Sequence, residues 1–77
     1  MNLQKMKLKK IVTEDGILSM ADHIEVGNTY VLDLDRQGPM KWANKDYPGK
    51  EFLRPSVYAY SHDGKDGGWL PKELFGI

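Results

Sequence analysis

The chain has 77 residues, enough for one domain with a small core. Its 11 basic and 11 acidic side chains cancel, so no global field recruits nucleic acid or a membrane surface. The absence of cysteine excludes disulfides and zinc–thiolate staples and favours a reducing, intracellular setting; no apolar run approaches the roughly 20 residues that span a bilayer.

Taken in chain order, "KMKLKKIV" at residues 5–12 alternates lysine with apolar residues, which predicts a strand with Met6 and Leu8 facing inward. The alternation slips at "KKI", where a bulge or bend is expected. No apolar signal-peptide core follows this basic start. "EDG" supplies a tight turn with Gly16 able to take positive φ, and "ILSM" continues as a short extended piece. Val26 precedes the turn pair Gly27-Asn28, and "TYVLDL" is rich in β-branched and aromatic residues. Its alternation sets Tyr30, Leu32 and Leu34 on one face, and Thr29, Val31 and Asp33 on the other.

Residues 36–55 contain Pro39, Pro48 and Pro55 together with Gly38 and Gly49, a spacing that argues against both a helix and a central strand. An unpaired connection of this length in so small a domain is unusual and often functional. "SVYAYS" reads as another strand, with Val57 facing opposite to Tyr58 and Tyr60; "HDGKDGG" reads as a turn and "WLP" as a short last strand. No long helix, repeat or domain boundary interrupts the pattern. The expectation is all-β, one domain over residues 1–77: a small barrel of about five short strands with a long insertion at 36–54 and a single helical turn at the C-terminus.

The last stretch, "GGWLPKELFGI", carries Trp69, Leu70, Leu74, Phe75 and Ile77, a heavy apolar load for a terminus. A strand that pairs, a proline that stops the ladder and one tight turn would swing an apolar plug under a barrel. Here the chain resembles the Src-homology-3 (SH3) family, which typically ends in Gly-Tyr-Ile-Pro-Ser-Asn-Tyr-Val where this sequence has Gly68-Trp69-Leu70-Pro71-Lys72-Glu73-Leu74-Phe75. "DHIEVGNTYVLDLD" is similar to that family's diverging turn, and "SVYAYSHDGKDGGWLP" to its third and fourth strands with the distal hairpin. The resemblance covers residues 22–35 and 56–75, and the 36–54 segment falls where the family's n-Src loop sits. It implies an SH3-like barrel with a buried tail.

The family's proline-rich-peptide groove does not carry over. Residues 13–21 hold no aromatic, Ser56 or Val57 stands near the groove tryptophan, and Leu74 replaces the terminal tyrosine; Pro71 alone matches.

Signals for catalysis or metal binding are few. The pairs Asp22-His23 and His62-Asp63 lack a serine or cysteine nucleophile and read as turn and loop residues. "DGKDGG" has Lys65 where a calcium loop needs an acid and no glutamate at its far end, so it reads as a hairpin turn. Neither enzymatic activity, a cofactor nor a metal is expected. The 36–54 segment instead interleaves Trp42, Tyr47 and Phe52 with Arg36, Lys41, Lys45, Lys50 and Arg54. Such a set suits a protein interface, where tryptophan, tyrosine and arginine form hot spots. It also suits single-stranded nucleic acid, by stacking and phosphate neutralisation, and Trp42 with Phe52 could fold back as a lid over the barrel.

The expectation is thus a non-enzymatic intracellular adaptor or inhibitor, such as a small bacterial or phage accessory protein, that contacts another protein through these eight residues and not a membrane. A nucleic-acid-binding barrel is the alternative, and a structural or oligomerising subunit the next.

Overall fold

The computed structural model describes residues 2–17, 25–44 and 46–77. Four strands, β1 (Leu3–Lys7), β2 (Thr29–Ala43), β3 (Glu51–Tyr60) and β4 (Gly67–Pro71), form one antiparallel sheet in the order β1-β2-β3-β4, followed by a 3-10 turn at Lys72–Phe75. The sheet curls into a half-barrel, compatible with an SH3-like barrel. Of the expected extended piece "ILSM", Ile17 forms an isolated bridge to Asn44 and the rest lies outside the described residues, so four strands stand where about five are expected.

The alternation places the core as the sequence implies. Leu8, Tyr30, Leu32, Val57, Ala59, Leu70, Leu74 and Phe75 form one buried cluster, with Met6 and Leu34 packed against it. Tyr58 and Tyr60 stand half-buried on the opposite face. The chain bends at Ile11, just after "KK", and turns at 14–15 into Gly16. Gly16 has φ 92°, and a Cβ there would come within 2.9 Å of the Asn44 side-chain oxygen, so the position suits glycine alone.

The tail is the plug that the sequence suggests. Leu74 and Phe75 are wholly buried, and Phe75 meets Tyr30 edge-on with ring centroids 6.0 Å apart. The Leu74 carbonyl accepts the backbone N–H groups of Lys9 (2.9 Å) and Lys10 (3.3 Å), tying the last turn to the chain just after β1. Gly76 ends the turn in the left-handed conformation at φ 77°, and Ile77 beyond it is exposed.

Residues 37–43 and 51–55 are paired strand rather than the unpaired connection expected. β2 and β3 run on past the half-barrel as a two-stranded arm whose tip is residues 44–50. The register sets Pro39 opposite Pro55, so the two residues that cannot donate share one rung of the ladder. In a two-stranded arm each strand also has a free edge, where proline is tolerated. Between the rungs Asp33–Tyr58 and Gln37–Val57, β2 carries three residues more than β3: Leu34, Asp35 and Arg36. This bulge divides barrel from arm.

A chain ending at Gly68 loses four wholly or almost wholly buried side chains, Leu70, Pro71, Leu74 and Phe75, together with half-buried Trp69. At about 1.5–3 kcal/mol for each fully buried side chain, the loss equals the whole stability of a small domain. The expected outcome is a chain without dispersed amide NMR signals or a cooperative melt; a folded Gly68-terminated chain refutes the plug.

Candidate functional site

Residues that face each other across the ladder share a face, so the pairing sorts the arm into two sides. One side carries Trp42 opposite Phe52 and Met40 opposite Arg54; the other carries Lys41 opposite Leu53 and Pro39 opposite Pro55. The first side is half-buried throughout and the second exposed throughout. The eight residues expected to form one interface therefore do not converge. Trp42, Phe52 and Arg54 lie on the covered side and Lys41 on the open one. Tyr47 and Lys50 lie at the exposed tip, and Lys45 lies outside the described residues. Arg36 is not on the arm at all: it belongs to the bulge, and its guanidinium carbon sits 3.9 Å from the ring centroid of Tyr58.

The covered side is held by the loop at 13–17. Thr13 closes this loop, accepting the Gly16 N–H on its carbonyl and the Ile17 N–H on its hydroxyl, while that hydroxyl donates to the Asp15 carboxylate. Asp15 in turn pairs with the Arg54 guanidinium, and the Asn44 side-chain amide donates to the Asp15 carbonyl at 2.8 Å. The Thr13 hydroxyl first, and then Arg54, hold the Asp15 carboxyl below the usual carboxylate range. On the same side the Trp42 indole N–H donates to the wholly buried Ser56 hydroxyl at 2.8 Å, which passes a bond to the Arg54 carbonyl at 2.9 Å. Trp42 is thus half-buried on the arm and tied to Ser56, rather than folded back over the barrel. Phe52 is flanked by Tyr47 at 6.0 Å between ring centroids and by the Arg54 guanidinium at 5.5 Å.

The open side contains what the sequence reading overlooked. Gln37, Gly38, Pro39, Leu53, Arg54, Pro55 and Lys72 line a groove of about 300 Å³ where the arm leaves the barrel. Leu53 is 58% exposed, a large aliphatic side chain with no cover of its own. The signal was present in β3: Leu53, Pro55, Val57 and Ala59 alternate through "LRPSVYA", so the stripe that forms the core at Val57 and Ala59 continues onto the arm. The cations on this side are Lys41 and Lys72, with Glu51 nearer the tip.

Chemistry of other kinds finds little footing. Among the described residues no group of three His, Cys, Asp or Glu side chains is placed to hold a metal ion. His23 lies outside the described residues, and His62 is exposed in the hairpin between β3 and β4. That hairpin closes on itself. The Ser61 hydroxyl and the Lys65 N–H both donate to one Asp63 oxygen, at 2.6 and 3.0 Å. The Ser61 bond is the larger cause that holds the Asp63 carboxyl below its ordinary range.

Two measurements check these assignments. Trp42→Ala should cost about 2 kcal/mol of folding stability, because it opens a half-buried site and leaves Ser56 without its donor, whereas Tyr47→Ala at the exposed tip should stay within about 0.5 kcal/mol of the parent. Equal thermal melts for the two variants contradict this placement. Asp15→Asn should lower the melting temperature at neutral pH. A carboxyl held below its ordinary range stabilises the fold fully above the unfolded pKa, ~3.9, and less as pH falls through the lower folded value. The gap between parent and variant should therefore close towards acid; a gap that widens below pH ~4 rules out the Asp15 tie.

Comparison with protein-family models, with curated proteins and with solved structures finds no match to this chain.

Proposed function

We propose that this chain is a non-enzymatic binding module with an SH3-like barrel, an intracellular adaptor or inhibitor that grips another protein with the open side of its arm. One observation carries the reading: Leu53 stands 58% exposed next to the Pro39–Pro55 rung, on the same side of the arm. A lone exposed leucine is ordinary, but here Leu53 joins Pro39 and Pro55 in one apolar patch on a groove, which a partner's apolar side chain would bury. An isolated two-stranded ribbon is only marginally stable, and here the 13–17 loop already holds the other side, so the arm is ordered before a partner arrives. Lys41 and Lys72 flank the apolar floor, which favours an acidic segment with an aliphatic or aromatic anchor. The absence of cysteine supports a reducing compartment. No helix among the described residues is long and apolar enough to cross a membrane.

The test is affinity capture from the organism that encodes the chain, with parent and Leu53→Asp baits compared in nuclease-treated lysate. A protein retained by the parent, lost with Leu53→Asp and weakened several-fold by Lys41→Glu with Lys72→Glu fits the reading, provided that each variant melts near the parent. If the same proteins bind parent and Leu53→Asp alike, the open side is not the interface.

A further inference from the structure

We infer that the outward face of the four-stranded sheet is a second binding site, built for single-stranded nucleic acid. It uses none of the groove residues on the arm, so it stands or falls separately from the protein-binding reading. The face is defined by the pairing of all four strands. One row runs from Leu3 through Asp33 and Tyr58 to Trp69, and the next from Lys5 through Val31 and Tyr60 to Gly67. Lys7, opposite Thr29, extends the same face along β1.

Three aromatic rings adjoin at its centre. Tyr58 meets Tyr60 at 5.0 Å and Trp69 at 5.6 Å between centroids, both edge-on. Gly67 makes that packing feasible, since a Cβ there would lie 3.0 Å from the Tyr58 ring and 3.2 Å from Tyr60. None of the three rings is fully buried, so an apolar and π-rich patch faces water without a cover from the described chain. Base–aromatic stacking accepts any base, and Tyr60 and Trp69 are both partly exposed.

Arg36 supplies the second half of the site. The bulge lifts it out of the ladder and lays its guanidinium over Tyr58 at 3.9 Å, with Trp69 at 5.8 Å. Stacked in this way the group keeps its in-plane N–H donors free, and it has no carboxylate partner among the described residues. A guanidinium over a tyrosine ring can stack against a base or grip a phosphate with its N–H donors. Two carboxylates adjoin the face: Asp33 is 7% exposed and accepts the Asp35 N–H, and Asp35, exposed beside Arg36, accepts the Asn2 N–H. Lys5 and Lys7 are both exposed on β1. With three cations against Asp33 and Asp35, the face keeps a local excess of one positive charge beside three rings although the chain is neutral overall. At about 4.8 Å per strand the face spans about 14 Å, room for two or three nucleotides. A protein partner would use the same rings, but the cations would then need facing acids.

The experiment titrates the full chain into fluorescein-labelled oligo-dT and oligo-U 12-mers, their duplexes and an abasic oligomer of the same length, reading anisotropy and tryptophan fluorescence. The expected result is binding of both single strands with quenching, weaker binding of duplexes, and no quenching by the abasic strand. Quenching should vanish in Trp69→Phe. Arg36→Ala should weaken single-strand binding at least tenfold, with Arg36→Lys between parent and alanine because it keeps the charge and loses the planar stack. If Arg36, Lys5 and Lys7 each neutralise one phosphate, the log–log salt slope is about −2, falling to about −0.7 in Lys5→Glu with Lys7→Glu. The inference is overturned by affinity that is unchanged in Arg36→Ala and Arg36→Lys, by quenching that persists in Trp69→Phe, by abasic and base-bearing strands behaving alike, or by failure of any strand to bind at low salt. Loss of binding through Lys41→Glu with Lys50→Glu, with the sheet-face variants unaffected, would move the site to the arm and equally overturn it.

Discussion

A half-barrel has an open end, and a chain of this size has little to fill it with. Burial of Leu74 and Phe75 under the sheet is the interaction that everything else rests on. It gives Leu8, Tyr30, Leu32, Val57 and Leu70 a common neighbour and turns one curled sheet into an enclosed core. The polar groups of the same turn then reach outward. The Leu74 carbonyl holds the backbone at Lys9 and Lys10, while Glu73 pairs with Lys10 at 3.2 Å and accepts the Glu14 N–H at 3.0 Å. Glu14 belongs to the turn whose Asp15 fixes Arg54 and Asn44. The tail thus steadies the 13–17 loop, and the loop steadies the arm, so an order that begins at the C-terminus ends at the far end of the molecule.

This arrangement divides the surface. The inner face of the sheet is spent on the core, and the covered side of the arm on the loop. Among the described residues, two broad faces then have no internal partner: the open side of the arm and the outward face of the sheet. Their chemistry differs. The arm offers aliphatic and prolyl surface with lysines at its edge, the sheet aromatic rings with an arginine laid across one of them. Two surfaces of different character on so small a domain suit a protein that brings unlike partners together.

Much of the fold was legible in the sequence because alternation is a direct consequence of the pleat. Tyr30, Leu32 and Leu34 fall inward as read, Val57 opposes Tyr58 and Tyr60, and the unusual apolar weight of the last eleven residues marks the plug. The arm was not legible, since Pro39, Gly38 and Pro55 look like breakers one at a time. Only the register shows that the two prolines share a rung. The site suffered more. Residue type singled out Trp42 and Phe52, but type does not say which way a side chain faces beyond a bulge, and both lie on the side covered by the 13–17 loop. Leu53 was overlooked because a leucine in a basic stretch looks like ordinary strand filler. Arg36 was noticed for its charge, whereas its distinctive property is the ring beneath it, supplied by a residue 22 positions later in the chain.

The bulge at Leu34, Asp35 and Arg36 also sets where the chain can tolerate a change of length. The side-chain period of a strand is two, so one residue gained or lost in β2 between the barrel and the arm would turn the whole outer part of that strand over. Lys41 would take the sheltered place of Trp42, the indole would be pushed into water, and Ser56 would lose its donor. The tip at 44–50 has no such parity to keep, apart from Asn44 at its root. Natural variation in length among sequences that share this fold should therefore gather at the tip and avoid the bulge, even though both are irregular segments within the same hairpin.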